Sequence, residues 1–285
     1  NNELGIIQPI QEMIKIARNK NNNMTSNTIT NNTTPNITTN TTTSNGTSDI
    51  IFHSDVSCNL GCSMDMLNGI SNNNSNNNNN TDNDLHTFRP DIVSFSTYKF
   101  GGPHYGIVLS NTNNSNTSSS NSTNTNGLRG KYSGTPDVKC IYEVCISLEY
   151  YLSNYKTTSL QDTQFQSVLK STLYSSFQTH DVDYIDLSTT NTSSNIVVFI
   201  ITALKSSLIQ KSLSELGYAI GAGSACLSNE GSYTLRSMGY NSDISQKLIR
   251  ISFNSSTLGL DTIDSMNKYS KLISNSFITV YNNNA

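Results

Sequence analysis

An amine, a carboxylate and a thiol stand out along this chain, at Lys99, Asp55 and Cys226. Lys99 lies in Ser94-Phe95-Ser96-Thr97-Tyr98-Lys99-Phe100-Gly101-Gly102-Pro103, Asp55 closes Phe52-His53-Ser54-Asp55, and Cys226 follows Gly223-Ser224-Ala225. A lysine amine flanked by Ser and Gly, if desolvated, forms a Schiff base with a carbonyl. A carboxylate at the next strand end can hold a protonated pyridine nitrogen, the pairing that pyridoxal phosphate chemistry requires. Ser96, three residues before the lysine, is close enough to reach a phosphate oxygen. The thiol lies among small residues in what reads as a loop, where its thiolate is accessible for attack on sulfur. Each feature alone has a plainer account: an Asp after a strand is commonly a turn residue, a strand-end Lys is commonly solvated, and a free Cys is commonly buried and inert. The combination is what carries chemistry.

The elements that must position these groups can be read from periodicity. Ile10, Met13, Ile14 and Ala17 follow helical spacing and predict a helix over 8–19. The run at 50–53, Asp91–Ser96, Tyr105–Leu109, Ile196–Ile201 and Leu248–Phe253 read as strands. Helices are expected around Ile141–Leu152, Val168–Leu173, Leu204–Leu216 and Ile263–Phe277. Strands alternating with helices imply an α/β fold with a mainly parallel sheet. In such a sheet ligands bind at the carboxyl ends of the strands, which is where Asp55 and Lys99 fall. A break is expected near residue 156, between a strand-rich first half (1–155) and a smaller α+β unit (156–285).

Composition narrows the function classes. Of 285 residues only 34% are hydrophobic and 13% charged, both low for a globular chain. The deficit is filled by Asn, Ser and Thr, concentrated in tracts at 21–48, 71–84 and 111–126. Such tracts carry too little apolar surface to offset the entropy of ordering, so they read as disordered insertions between elements. A net charge of -3 offers no field for a polyanion, so nucleic acid is not an expected partner. The longest apolar stretch, Ile196–Leu204, is shorter than the roughly 20 residues of a transmembrane helix, so no membrane partner is expected either. The five cysteines include no CxxC pair, and a reducing intracellular compartment, mitochondrial or cytosolic, is the simpler reading. His53, Cys58 and Cys62 are too loosely spaced for a metal site, so none is assigned. Cys140 and Cys145 read as helix packing residues, and His104 and His180 as surface or structural ones.

Taken in order, NNELGIIQPI at the start, IIFHSD, DIVSFSTYKFGGP, YSGT at 132–135, GAGSACLSNEGSYTLRSMGY at 221–240 and LIRISFNSST at 248–257 resemble the cysteine desulfurases. These are fold-type I pyridoxal-phosphate enzymes of the class V aminotransferase family. The resemblance implies a pyridoxal-phosphate-dependent transferase fold, with 1–155 as part of the large domain and 156–285 as the small domain carrying the cysteine. It implies Lys99 as the Schiff-base lysine and proton shuttle, Asp55 on the pyridine nitrogen, Asn2 at the ring hydroxyl side and Ser96 on the cofactor phosphate. Thr135 would reach the phosphate of the neighbouring subunit in a homodimer. Arg250 would grip the substrate carboxylate, and Cys226 would take the sulfur. The implied reaction converts L-cysteine to L-alanine and leaves a persulfide on Cys226, for delivery to a sulfur acceptor or an iron–sulfur scaffold protein.

The sequence also departs from that family. Tyr98 stands where a His precedes the lysine, Cys58 where a Gln contacts the cofactor, Tyr132 where an Arg begins the Arg-Ser-Gly-Thr motif, and Ser255 where a further Arg follows Arg250. The segment after Cys226 is shorter than the long loop of many relatives. Relatives carry a Gly-Ala-Thr phosphate loop and a ring-stacking His ahead of Asn-Asn-Glu; neither occurs in these residues. The first residue is not Met, so a fragment of a longer chain is expected. Two alternatives stay open: a selenocysteine lyase, and an inactive homologue acting as a scaffold or dimer partner.

Overall fold

Ile196–Ile201 reads Ile-Val-Val-Phe-Ile-Ile, and all six side chains are buried or nearly so. An apolar, largely β-branched run of this length suits a strand covered on both faces. In the computed structural model it is the second strand of a four-stranded antiparallel sheet. The structure describes residues 1, 3–10, 12–17, 52–57, 90, 92–110, 137–223 and 231–285, and the three polar tracts fall outside these.

In chain order the described strands are β1 (His53–Asp55), β2 (Ile92–Ser96), β3 (Gly106–Ser110), β4 (Tyr184–Asp186), β5 (Ile196–Ile201), β6 (Gly221–Ala222) and β7 (Leu248–Ser252). The helices are α1 (Val138–Thr179), α2 (Ser206–Glu215), α3 (Tyr233–Ser237), α4 (Ser242–Ser245) and α5 (Ile263–Asn284). Residues 10 and 12–17 are helical as well, and Thr97–Phe100 forms a 3₁₀ turn.

Two compact units divide the chain between Val144 and Cys145, inside α1. One holds Asn1–Gln8 together with Cys145–Ala285. Its sheet runs β4-β5-β7-β6. One face, with Val197, Phe199, Ile201, Ile249 and Ile251, packs on Phe165, Leu169, Leu173 and Phe177 of α1 and on residues of α2 and α5. The four α1 residues recur every fourth position, so one stripe of the helix enters the core. Phe199 sits at the centre, its ring 5.6 Å from those of both Phe177 and Phe277. The opposite face buries Val198, Ile200 and Leu248 against Leu4, Leu187 and Leu235. The start of the chain is thereby part of this unit's core. A capping box between Thr262 and Ser265 starts α5.

The other unit contains a three-stranded mixed sheet in the order β1-β2-β3. β1 and β2 are parallel, and β2 and β3 antiparallel. The first strand is placed differently from the sequence reading. Its paired residues are His53, Ser54 and Asp55, so the aspartate ends the strand rather than following it; Ile50 and Ile51 lie outside the described residues. A second difference is α1, read from periodicity as two helices. The polar stretch Asn154–Ser159 interrupts the apolar pattern, but no Gly or Pro breaks the backbone, and one helix of 42 residues results. The break expected near 156 falls inside it.

Asp162, on α1, is buried, and one carboxylate oxygen accepts a 2.8 Å hydrogen bond from the buried Ser255 backbone. Burial pushes this carboxyl above its ordinary range, and the Ser255 bonds only partly oppose it. A raised folded-state value means that the group favours folding at low pH and that this contribution is lost as pH rises through the folded value. Asp162→Asn keeps the acceptor and removes the charge. It should therefore raise the urea midpoint at pH 7 and leave it unchanged at a pH below about 3.9, the ordinary aspartate value. Equal midpoints at both pH values would contradict the burial argument.

Candidate functional site

Parallel pairing brings the carboxyl ends of β1 and β2 to one edge. The register sets Asp55 opposite Ser94 and His53 opposite Ile92. Ser54 is buried while His53 and Asp55 are exposed, as the two-residue strand period demands. Ser57 then ties the edge together: its N–H donates to Asp55 Oδ1 at 2.9 Å, and its Oγ accepts from the Ser96 N–H at 3.0 Å. Val56 N–H continues the ladder to the Ser94 carbonyl at 2.9 Å. Ser94 Oγ donates to Asp55 Oδ2 at 3.0 Å. Partial burial alone would raise the Asp55 carboxyl, but the hydrogen bonds from Ser57 and Ser94 and the nearby His53 outweigh it and hold the group below its ordinary range. The result is an ionised, two-point-anchored carboxylate at a strand end.

Lys99 leaves the same edge through the 3₁₀ turn that follows Ser96. The turn hangs on Thr97, which is fully buried. Its N–H donates to the Tyr105 carbonyl at 2.9 Å, its hydroxyl donates to the Pro103 carbonyl, and Thr97 Oγ1 accepts from Tyr105 N–H at 3.2 Å. Gly101 closes the turn at φ 87°, a conformation that favours glycine. Gly102 N–H returns to the Thr97 carbonyl at 3.1 Å, and a methyl group on Gly102 would meet that oxygen at 3.0 Å. Lys99 is left exposed, with Nζ 4.8 Å from the centre of the Tyr98 ring. His104 stacks on that ring at 5.1 Å.

In the other unit, Arg250 sits mid-strand on β7, opposite Gly221 of β6 and Val198 of β5. The guanidinium lies over Gly221, where a methyl group would come within 3.1 to 3.3 Å of its terminal nitrogen, Nε and central carbon. A side chain there would make the guanidinium shift by a few tenths of an ångström. The first residues pack nearby in sequence-distant company. Asn1 Oδ1 accepts from the N–H groups of Glu3 and Leu4 at 3.0 Å each, and Asn1 Nδ2 donates to Thr234 Oγ1 at 3.2 Å. Glu3 is buried and accepts a hydrogen bond from the buried Ser232 hydroxyl, whose oxygen also caps α3 by accepting from Leu235 N–H at 3.1 Å. Gly223 and Gly231, which flank the segment bearing Cys226, approach closely: a methyl group on Gly223 would lie 3.9 Å from the Gly231 carbonyl carbon and from the Ser232 nitrogen.

The structure thus places Asp55, Ser96 and Lys99 along one strand edge of one unit, and Arg250 in the other unit. Asn2, Thr135 and Cys226 lie outside the described residues, as do Cys58, Cys62 and Tyr132. Among the described residues no group of three His, Cys, Asp or Glu is set to hold a metal ion, and no helix is long and apolar enough to cross a membrane.

Residues 77–258, well over half of the chain, match the family described as aminotransferase class-V. The chain belongs to this family. Similar folds occur in a NifS-like protein from Rickettsia africae (TM-score 0.61, 16% identity, 99% of this chain and 60% of that one) and in another NifS-like protein (TM-score 0.59, 20% identity, 96% and 58%). A cysteine desulfurase from Thermococcus onnurineus is also similar (TM-score 0.56, 14% identity, 96% and 57%). The chain therefore spans about 60% of the length of these proteins. No curated protein matches the sequence. The class-V aminotransferase fold, α/β in content, is the one the resemblance implied; the mainly parallel sheet read from strand–helix alternation differs from the described strands, of which only β1 and β2 pair in parallel.

The residues present fit the cofactor chemistry read from the sequence. An aldehyde that links to an amine and carries a protonated ring nitrogen needs a lysine and an ionised carboxylate at one edge. The edge supplies both, and the Asp55 carboxylate keeps lone pairs beyond those used by Ser57 and Ser94. Several residues that shape this arrangement escaped the sequence reading. Ser57 and Ser94 are short polar residues with no periodic signal, and Gly221 looked like one glycine among several. His104, read as a surface or structural residue, stacks on the Tyr98 ring. Cys145 is exposed and Cys140 half-buried, so neither is a core packing residue.

The Glu3–Ser232 contact gives a direct test of how the start of the chain is anchored. Ser232→Ala removes a helix cap and leaves a buried carboxylate without its donor, which should cost about 2 kcal/mol or more in urea denaturation. Ser232→Thr should recover most of that loss.

Proposed function

We propose that this class-V aminotransferase homologue is a pyridoxal-phosphate-dependent cysteine desulfurase, converting L-cysteine to L-alanine and taking the sulfur onto Cys226. The observation that carries this reading is the β1–β2 edge, where parallel pairing and the Ser57 bridge set the anchored Asp55 carboxylate beside the strand that leads into Lys99. In this reading residues 1–155 contribute the cofactor-binding side chains, while 156–285 carry Cys226 and Arg250. Pyridoxal phosphate, when bound, supplies an aldehyde that links to amines and a ring that takes up electrons released at the substrate α-carbon.

The chain's own residues divide the work. Lys99 would hold the cofactor through its side-chain amine and would move protons at the substrate carbons. Asp55 keeps the ring nitrogen protonated, a role for which its lowered proton affinity suits it. Asn2 would contact the ring hydroxyl side, Ser96 would hold the phosphate, and Thr135 would reach the phosphate bound by a second copy of the chain in a homodimer. Arg250 binds the substrate carboxylate through its planar fork, with Gly221 leaving the space for it. The Cys226 thiolate attacks the substrate sulfur: the S–S bond forms as the C–S bond breaks, the electron pair passes to the substrate β-carbon, and a proton there completes alanine. The persulfide then passes its outer sulfur to an acceptor such as an iron–sulfur scaffold protein, in a reducing compartment.

Purified protein mixed with pyridoxal phosphate should show the visible absorption of a lysine-bound cofactor, and Lys99→Ala should abolish it. Cys226→Ser should keep the colour and lose sulfur release; sulfur transfer at the parental rate would refute the thiol's role. Arg250→Ala should raise the cysteine KM by about tenfold or more, the scale of one lost charge-assisted pair, with the absorption unchanged. Comparing alanine release from cysteine and from selenocysteine separates this activity from that of a selenocysteine lyase.

A further inference from the structure

Asp55 is reached by a second side chain that does not touch it. His53, two residues earlier on the same exposed face of β1, has Nε2 2.9 Å from Ser94 Oγ. Ser94 in turn donates to Asp55 Oδ2 at 3.0 Å. A serine hydroxyl has one proton. Since that proton goes to Asp55, the Ser94 oxygen must accept from His53, so Nε2 carries the hydrogen. The three side chains form a line, His53 Nε2–H to Ser94 Oγ–H to Asp55 Oδ2. The register fixes it, because Ser94 is the residue directly opposite Asp55 and the strand period puts His53 on the same side.

We propose that Ser94 and His53 are positioning residues for Asp55: the line keeps the carboxylate ionised and oriented at the strand end, with His53 acting on it through the serine hydroxyl. Successive hydrogen bonds polarise one another, so a donor behind Ser94 makes its hydroxyl a better donor to the carboxylate. His53 can donate from Nε2 in either the neutral or the charged form, since Nε2 keeps its hydrogen in both. Ser57 holds the other oxygen through Oδ1, so the carboxylate can neither rotate nor slide along the edge. The inference deepens the functional reading and rests on Asp55 as the partner of the cofactor's ring nitrogen, for which a charged, fixed carboxylate is the requirement.

The test uses the cofactor-free chain, with the Asp55 side-chain carboxyl followed by ¹³C NMR during an acid titration. Ser94→Ala should move the Asp55 midpoint upward, because a donor to the ionised form is gone. His53→Ala should move it upward by less, although it leaves Ser94 and Ser57 in place. Together the two should shift it by less than the sum of the single shifts, the signature of one acting through the other. Ser94→Thr, which keeps the hydroxyl, should titrate like the parent. Additive shifts would mean that His53 acts by its charge alone and would overturn the line, as would an unmoved midpoint in Ser94→Ala. The functional reading fails separately: Lys99→Ala that keeps its visible absorption sinks the cofactor assignment while leaving the titrations as they are.

Discussion

The arrangement depends first on the register of two short parallel strands. Side chains alternate across a strand, so a slip of one residue would turn Asp55 inward and bring Ser54 and Val56, both buried, out to the edge. The carboxylate, its serine partner and the turn bearing Lys99 share an edge only in the observed pairing. The hydrogen bonds that lock it are individually worth about 1 kcal/mol, but they act on the same few atoms. Ser57 alone touches the carboxylate of one strand and the backbone of the next.

The unit that carries Arg250 solves a different problem. Its central strand is apolar on both faces, so helices must cover one side and the chain's own first residues part of the other. Arg250 lies near the edge of that sheet, where the facing strand is reduced to Gly221 and Ala222. The guanidinium lies over Gly221, 3.1 to 3.3 Å from where a Cβ would sit. The packing of this strand pair and the position of the Arg250 side chain are thus linked.

Much of this was legible beforehand, for reasons that differ by element. Ile196–Ile201 is apolar throughout and matches the observed strand residue for residue; the lysine strand and the closing helix were nearly as plain, because their patterns are long enough to show a period. The two-residue β6 and the short helices α3 and α4 carry no period, and they take their form from neighbours rather than from themselves. The continuity of α1 was hidden by a polar stretch on its exposed side, where apolar spacing reports nothing. Asp55 and Lys99 were visible as chemistry at strand ends. Ser57, Ser94 and His53 were not, since a hydrogen bond across 39 or more residues leaves no mark in local sequence.

The meeting of Gly223 with Gly231 and Ser232 has an evolutionary consequence. The two glycines act as a clasp: whatever number of residues lies between them begins and ends at one point of the scaffold. Insertions or deletions there exchange one excursion for another while the sheet, the Arg250 strand and the Ser232 cap keep their places. Because closure entropy grows only with the logarithm of length, descendants of a common ancestor can diverge in this segment without refolding the framework beneath it.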